Sequence, residues 1–218
     1  MKIFIKLLME RILGVGGIDM DMSNNNMGKF SEIMEERFYP YLKRREKTFR
    51  LIFEYLDSLN NENYLIVETG TTRYYGNIEG DGSSTVMFDL YCNSEKNGRV
   101  YSVDKDPAAC KISKDQTSDK TVVCLNDSVK FLHGFEKPEE IDLLYLDSFD
   151  LDWEDPHPSS LHHLKELTAV YSKLKPGCLI VVDDNQSGLG KGQYVVDFLN
   201  NVNDKKYFDE YQIGYIKL

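Results

Sequence analysis

No stretch of this sequence approaches the ~20 consecutive apolar residues that a membrane span requires. Positive charge is also scarce: 26 Lys and Arg stand against 36 Asp and Glu, for a formal net charge of −10. That balance argues against a broad phosphate-gripping surface of the kind nucleic-acid binders carry. The four cysteines, Cys92, Cys110, Cys124 and Cys178, show no C-x-x-C spacing, which excludes a zinc knuckle or a disulfide framework and suits reduced thiols in a cytoplasmic protein. Two phosphate-binding signatures are missing as well. The first strand is not followed by G-x-G-x-x-G, so NAD and FAD are disfavoured, and no Walker lysine motif occurs. Met1 to Gly17 is amphiphilic, but Glu10 and Arg11 interrupt it and no small-residue cleavage site follows, so it reads as a capping helix rather than a signal peptide.

What the chain does have is a repeated unit, an apolar run that ends on an acid. Tyr64-Leu65-Ile66-Val67-Glu68-Thr69-Gly70 is the first, and Asp104, Asp147 and Asp183-Asp184 end the others. Such runs read as buried parallel strands, and in an open α/β sheet their ends lie along one ligand-binding edge. The spacing predicts strands at Arg99 to Asp104, Thr121 to Leu125, Ile141 to Asp147 and Cys178 to Asp184. Helices are expected between them, with Pro107 at a first helical position and Asn126-Asp127-Ser128 as a cap. Lys206 to Leu218 offers a closing hairpin. Ahead of the sheet, residues 18 to 27 read as a loop, Met27 to Tyr39 as a helix ended or kinked by Pro40, and Leu42 to Leu59 as a second helix. Its basic run, Lys43-Arg44-Arg45-Glu46-Lys47, reads as a solvated face, with a substrate-phosphate role as the alternative.

The fold class expected is therefore α/β, a Rossmann-like, doubly wound and mainly parallel seven-stranded sheet with a C-terminal antiparallel hairpin. Residues 1–60 form an N-terminal helical extension or cap, and 61–218 the main domain.

Glu-Thr-Gly at the first strand end, a longer loop, Gly82-Ser83-Ser84-Thr85 opening a helix, and Asp104 ending the second strand together resemble the class I S-adenosylmethionine-dependent methyltransferases. The resemblance covers roughly Tyr64 to Leu218. It implies S-adenosylmethionine as cofactor, with Glu68, Gly70, Thr71, Gly82 and Ser83 lining its amino-acid end. It places Asp104 on the ribose, where a carboxylate can accept two O–H bonds from vicinal hydroxyls. Asp127 and Ser128 would meet the adenine, and Asp147 would flank the cofactor. The ten or so residues inserted from Thr71 to Asp81 depart from the usual compact glycine loop. Tyr74, Tyr75 and Asn77 there suit either a lid or a plain surface loop.

Asp147 with Asp183-Asp184-Asn185 makes an all-oxygen set suited to Mg²⁺, Mn²⁺ or Ca²⁺. The set is similar to that of the metal-dependent O-methyltransferases, both the catechol type and the macrocin type acting on antibiotic sugars. Such a metal would orient a substrate hydroxyl and lower its pKa. The lysine that catechol-type enzymes carry three residues after the first metal aspartate is Asp150 here. Asp183, His157 and His162 are the candidate catalytic bases.

The segment from Asp147 to His163 gathers acids, three of the four histidines and the only tryptophan, as a substrate pocket would. Trp153 and Phe149 could stack on a sugar or aryl ring. Lys191, in Gly188-Leu-Gly-Lys-Gly, suits an anionic substrate group or a solvated loop equally. The function expected is O-methylation of a small-molecule hydroxyl, sugar-like or phenolic, with no nucleic-acid or membrane partner and with a homodimer left open. The competing readings are a glycosyltransferase using Asp104-Lys105-Asp106 as a D-x-D, a cephalosporin-hydroxylase-like enzyme with the same acidic cluster, and a non-catalytic cofactor-binding scaffold.

Overall fold

A computed structural model describes residues 30–94 and 96–218. The amphiphilic stretch from Met1 and the loop expected at 18–27 lie outside the described residues. Seven strands form one sheet in the order β3-β2-β1-β4-β5-β9-β8. β1 (Tyr64–Thr69), β2 (Gly98–Asp104), β3 (Thr121–Leu125), β4 (Leu143–Leu146) and β5 (Leu179–Val182) run parallel. β9 (Ile213–Ile216) joins β5 antiparallel and pairs with β8 (Lys205–Asp209) to close the hairpin. A two-stranded ribbon, β6 (Asn185–Gln186) with β7 (Leu189–Gly190), stands apart from it. The doubly wound, mainly parallel sheet expected from the acid-ended strands is thus the observed one. Its strand order reverses between β1 and β4, the place where such sheets open a crevice for ligands.

β1 and β4 are buried along their whole lengths, which is why both read as unbroken apolar runs. Each sheet face carries its own core. One holds Val67, Leu144, Leu146, Leu167 and Ile180. The other holds Ile66, Tyr145, Phe88 and Val181 together with Met34, Phe38, Leu42, Phe49 and Ile52 from the N-terminal helices. Those helices are α1 (Phe30–Ile33), a π-helical turn at Met34–Phe38, α2 (Tyr39–Leu42), a 3₁₀ turn at Lys43–Arg45 and α3 (Glu46–Leu59). The break expected at Pro40 appears as the π-turn just before it, because proline has no N–H to donate and crowds the preceding turn. Since Met34 to Phe53 share a core with β1 and β4, the helical cap is one layer of this fold.

The remaining helices are α4 (Ile78–Asp81), α5 (Ser84–Asn93), α6 (Pro107–Gln116), α7 (Ser128–His133), α8 (His157–Val170) and α9 (Gln193–Asn201). Among the described residues no helix is long and apolar enough to cross a membrane. Gly70 is required where β1 ends. Its φ is +84°, and a Cβ there would lie 2.5 Å from the backbone oxygen of Asp147. Only a residue without a side chain lets the β1 and β4 ends close to that distance in that conformation.

Candidate active site

β4 delivers Asp147 and β5 delivers Asp183 and Asp184, whose carboxylate oxygens all lie within 4.8 Å of one another. Adjacent strand residues normally face opposite sides of a sheet. Here β5 stops at Val182 and Asp184 turns off with φ +52°, a left-handed conformation that aspartate tolerates better than most residues. Both carboxylates thereby reach the same guanidinium. Arg45 Nε donates to Asp183 at 2.8 and 3.1 Å, and its Nη2 donates to Asp184 Oδ1 at 2.9 Å. Tyr211 Oη donates to the same Asp184 oxygen at 2.6 Å. On the other side the Lys191 ammonium pairs with Asp147 Oδ1 and, at 2.9 Å, with Asp184 Oδ2.

Arg45 corrects the reading of the basic run as a solvated face: it is buried, while Lys43, Arg44 and Lys47 are exposed. A signal was present in the sequence. Arg45, Phe49, Ile52 and Leu56 fall at helical spacing, so Arg45 continues the apolar stripe of α3. Lys191 is equally enclosed, at 3% side-chain exposure. Its loop is tightly built. The Asn185 amide donates to the carbonyls of Val182 and Asp183, both at 2.9 Å, and its Oδ1 accepts from Gly192 N at 2.7 Å. A Cβ on Gly190 would lie 2.1 Å from the Asp184 carbonyl oxygen, and one on Gly192 would lie 2.6 Å from Asn185 Oδ1. The glycines on either side of Lys191 are what the close approach requires.

These bonds bear on how the cluster, three carboxylates close enough to share an ion, would receive a metal. Asn185 is corrected from a ligand to a loop clamp, since its side-chain oxygen and nitrogen are both spent on backbone. Both oxygens of Asp183, both of Asp184 and Oδ1 of Asp147 already hold a cationic or hydroxyl partner. Mg²⁺ needs near-octahedral oxygens at about 2.0–2.1 Å, and this donor set, with an ammonium seated between Asp147 and Asp184, does not fit it.

A cavity of about 300 Å³ opens against this cluster, its wall including Asp147, Asp184, Lys191, Arg73, Trp153 and Tyr211. Arg73 ties its rim together: it bonds Asp81 at 3.1 Å and Asp150 at 2.8 Å, joining the 71–81 loop to the segment after β4. Asn77 is spent as the cap of α4, accepting from Gly80 N, and Tyr75 Oη donates to Asp115 at 3.0 Å. Tyr74 stays exposed. Desolvation pushes the Asp147 carboxyl well above the usual carboxylate range, against the pull of Lys191.

The bases named from the sequence do not reach the cavity wall. Asp183 is buried behind Arg45, His157 Nδ1 shares a 2.6 Å hydrogen bond with Tyr194 Oη, and none of Asp183, His157 and His162 lines the cavity. His162 Nε2 lies 3.1 Å from Ser128 Oγ and 3.3 Å from Glu166. Glu166, which the sequence reading missed, is a buried anion that also accepts from Thr69 at 3.0 Å and Ser148 at 2.5 Å. Burial opposes its charge, yet the bonds from His162 and the hydroxyls hold its pKa down at about 2. His163, three residues before it, is fully buried and kept neutral, its pKa lowered to about 4 by desolvation.

On the cofactor side, Asp104 ends β2 half-buried and accepts from Asp106 N at 2.8 Å. Asp106 caps α6 by accepting from Ala108 N at 2.8 Å, so the D-x-D is a turn and a helix cap. Asp127 caps α7 by accepting from Lys130 N through Oδ1 at 2.9 Å and is otherwise exposed at the end of β3, while Ser128 is buried beside His162. Gly82 and Ser83 both adopt left-handed φ, +73° and +51°, where α4 passes into α5. Thr71 Oγ1 donates to Ser113 at 2.7 Å. In the same loop the Thr72 hydroxyl is buried without a partner among the described residues, as a donor reserved for a bound group would be. The edge therefore fits S-adenosylmethionine.

Glu68 is corrected too. Its carboxylate is 1% exposed and taken by the hydroxyls of Ser84, Thr85 and Ser102, the last two at 2.6 and 2.7 Å. It ties β1 to α5 and β2. Burial raises its pKa to about 7 despite these bonds. Folded Glu68 thus keeps a proton that the unfolded chain, at the ordinary glutamate value of 4.5, has released, and stability is lost as pH rises through that window. Glu68→Gln should gain roughly 2–3 kcal/mol relative to the parent between about pH 4.5 and 7.5, with S-adenosylhomocysteine affinity unchanged. Urea titrations across that range check it, and a stability difference flat with pH would refute the assignment.

Residues 79–185 match the methyltransferase-domain family. No curated protein matches the chain. Among solved structures, CalS11, a TDP-rhamnose 3′-O-methyltransferase of calicheamicin biosynthesis, is similar at a TM-score of 0.53 and 14% identity, over 98% of this chain and 92% of that one. The O-methyltransferase NovP is similar at 0.53 and 12%, over 99% and 98%. SMU.1697c from Streptococcus mutans, solved in complex with S-adenosylhomocysteine, is similar at 0.51 and 12%, over 78% and 97%. At these identities the structures speak for the fold, and the family match adds the activity to it. With Gly70 at the strand-order reversal and Asp104 ending β2, the chain carries a methyltransferase domain, matched over residues 79–185, on the Rossmann-like fold of the class I S-adenosylmethionine-dependent enzymes.

Proposed function

We propose that this methyltransferase acts on a hydroxyl of a small polar molecule, with a sugar or sugar-bearing metabolite as its acceptor. The observation that carries the reading is the cavity beside Asp147. Its wall mixes carboxylates, Arg73 and Lys191 with the exposed ring of Trp153. Such a lining offers many hydrogen bonds and one flat apolar face, and a volume of about 300 Å³ suits a compact ligand. The similarity to CalS11, which methylates a sugar, supports the same acceptor class.

In this reading S-adenosylmethionine supplies an electrophilic methyl on its sulfonium. Asp104 holds the ribose, the Gly70 to Thr72 loop the amino-acid end, and Ser128 the adenine side. Asp147 replaces Asp183, His157 and His162 as the base. It lines the cavity, its Oδ2 has no protein partner among the described residues, and a raised proton affinity suits it to receive the hydroxyl proton. The remaining requirement is in-line positioning. The divalent metal expected from the acidic strand ends has no part in it, because Arg45 and Lys191 hold the oxygens it would need.

Incubation with methyl-labelled S-adenosylmethionine and a panel of nucleotide sugars, free sugars and phenols tests the proposal. Label should enter an alkali-stable ether of a sugar compound. Label recovered only in a phenol, or in none of the panel, would sink the sugar assignment.

A further inference from the structure

Lys191 has more built around it than a surface lysine requires. The Asn185 clamp, Gly190 and Gly192 fix its backbone, and Lys191 N donates to the Asp184 carbonyl at 3.1 Å. An ammonium carries three N–H donors. Two meet Asp147 and Asp184. The third has no protein partner among the described residues, and Lys191 forms part of the cavity wall. A positive charge is therefore fixed between the carboxylates that end β4 and β5, with one donor left over at the acceptor cavity.

Resting on the hydroxyl-acceptor reading above, we propose that Lys191 takes the place of a divalent cation: its ammonium binds the acceptor oxygen, and methyl transfer needs no metal. The acceptor O–H bond breaks and its proton passes to Asp147 Oδ2. The oxygen electron pair forms the O–CH₃ bond, while the S–CH₃ bond breaks with its pair going to sulfur, leaving S-adenosylhomocysteine. Lys191 stays protonated throughout and stabilises the charge that develops on the oxygen. Arg45 keeps Asp183 and the second edge of Asp184 neutralised from the far side, so that Lys191 faces Asp147 and one oxygen of Asp184 alone.

The test needs no acceptor. Mn²⁺ binding is followed by electron paramagnetic resonance on the full chain, and S-adenosylhomocysteine binding by calorimetry with and without EDTA. The parent protein should leave the free Mn²⁺ signal intact and bind S-adenosylhomocysteine equally well with EDTA. Lys191→Ala should bind Mn²⁺ at least about tenfold more tightly than the parent, because three carboxylates then face one remaining cation. Lys191→Arg, which keeps the charge, should gain none. Tight Mn²⁺ binding by the parent would overturn the proposal, and so would a Lys191→Ala protein that folds yet gains no Mn²⁺ affinity. Should Lys191→Ala fail to fold, Lys191→Met with the parent measurement decides the same point. These outcomes are separate from the acceptor panel: a phenol product would end the sugar reading and leave the Mn²⁺ result standing.

Discussion

Asp104→Ala should weaken S-adenosylhomocysteine binding by about 100-fold or more, with the fold intact. Asp104 ends β2 next to the strand-order reversal, where a carboxylate can accept both vicinal hydroxyls of a ribose. Hydrogen bonds to a charged group contribute about 1.5–3 kcal/mol each, and about 2.7 kcal/mol already amounts to 100-fold. Among the described residues the bonds at risk are those of its own turn, from Asp106 N at 2.8 Å and from the Lys105 backbone, so circular dichroism and melting should change little. Calorimetric titration reads the affinity directly. Binding within threefold of the parent would mean that the ribose is held elsewhere, and the order of cofactor contacts along this edge would have to be redrawn.

Arg45→Met should cost about 3–5 kcal/mol of folding stability, the usual penalty for removing one partner of a buried ion pair. Asp183 is 1% exposed and both its oxygens accept from Arg45 Nε. Without the guanidinium it is a buried carboxylate with no adjacent cation except Lys191. Methionine keeps most of the apolar stem of arginine, which isolates the charge from the packing. The double variant Arg45→Met/Asp183→Leu should recover a large part of the loss, because replacing a buried pair by apolar groups is often neutral. Urea unfolding of the two proteins measures both numbers. A single variant within about 0.5 kcal/mol of the parent would show that the pair is solvated in solution.

The strand ends were legible for a simple reason. A parallel strand buried on both faces has to be apolar throughout, and its polar terminator marks where it leaves the core. Asp104, Asp147, Asp183 and Asp184 announced the edge in this way, and the hairpin and the Pro40 break followed from local chemistry. Individual side-chain roles were less visible. Glu68 looked like a cofactor ligand because it precedes Gly70, yet three hydroxyls from α5 and β2 close around it. His162 looked like a base because it sits in an acidic loop, yet its Nε2 is committed to Ser128 and Glu166. Arg45 could have been placed on the buried stripe of α3, but nothing in its neighbours named Asp183 as the partner.

The sequence by itself determined the sheet, the order of its units and the edge at which chemistry occurs, since periodicity and strand-ending acids are local properties of the chain. Only the tertiary structure decided what the acidic cluster is. Arg45 arrives from 138 positions away, Lys191 arrives on a ribbon held by Asn185 and two glycines, and the left-handed turn at Asp184 brings two adjacent carboxylates to one side. Whether three carboxylates meet a metal or two internal cations depends on which charges long-range packing delivers to them, because electrostatic pairing acts through space and leaves no pattern along the chain.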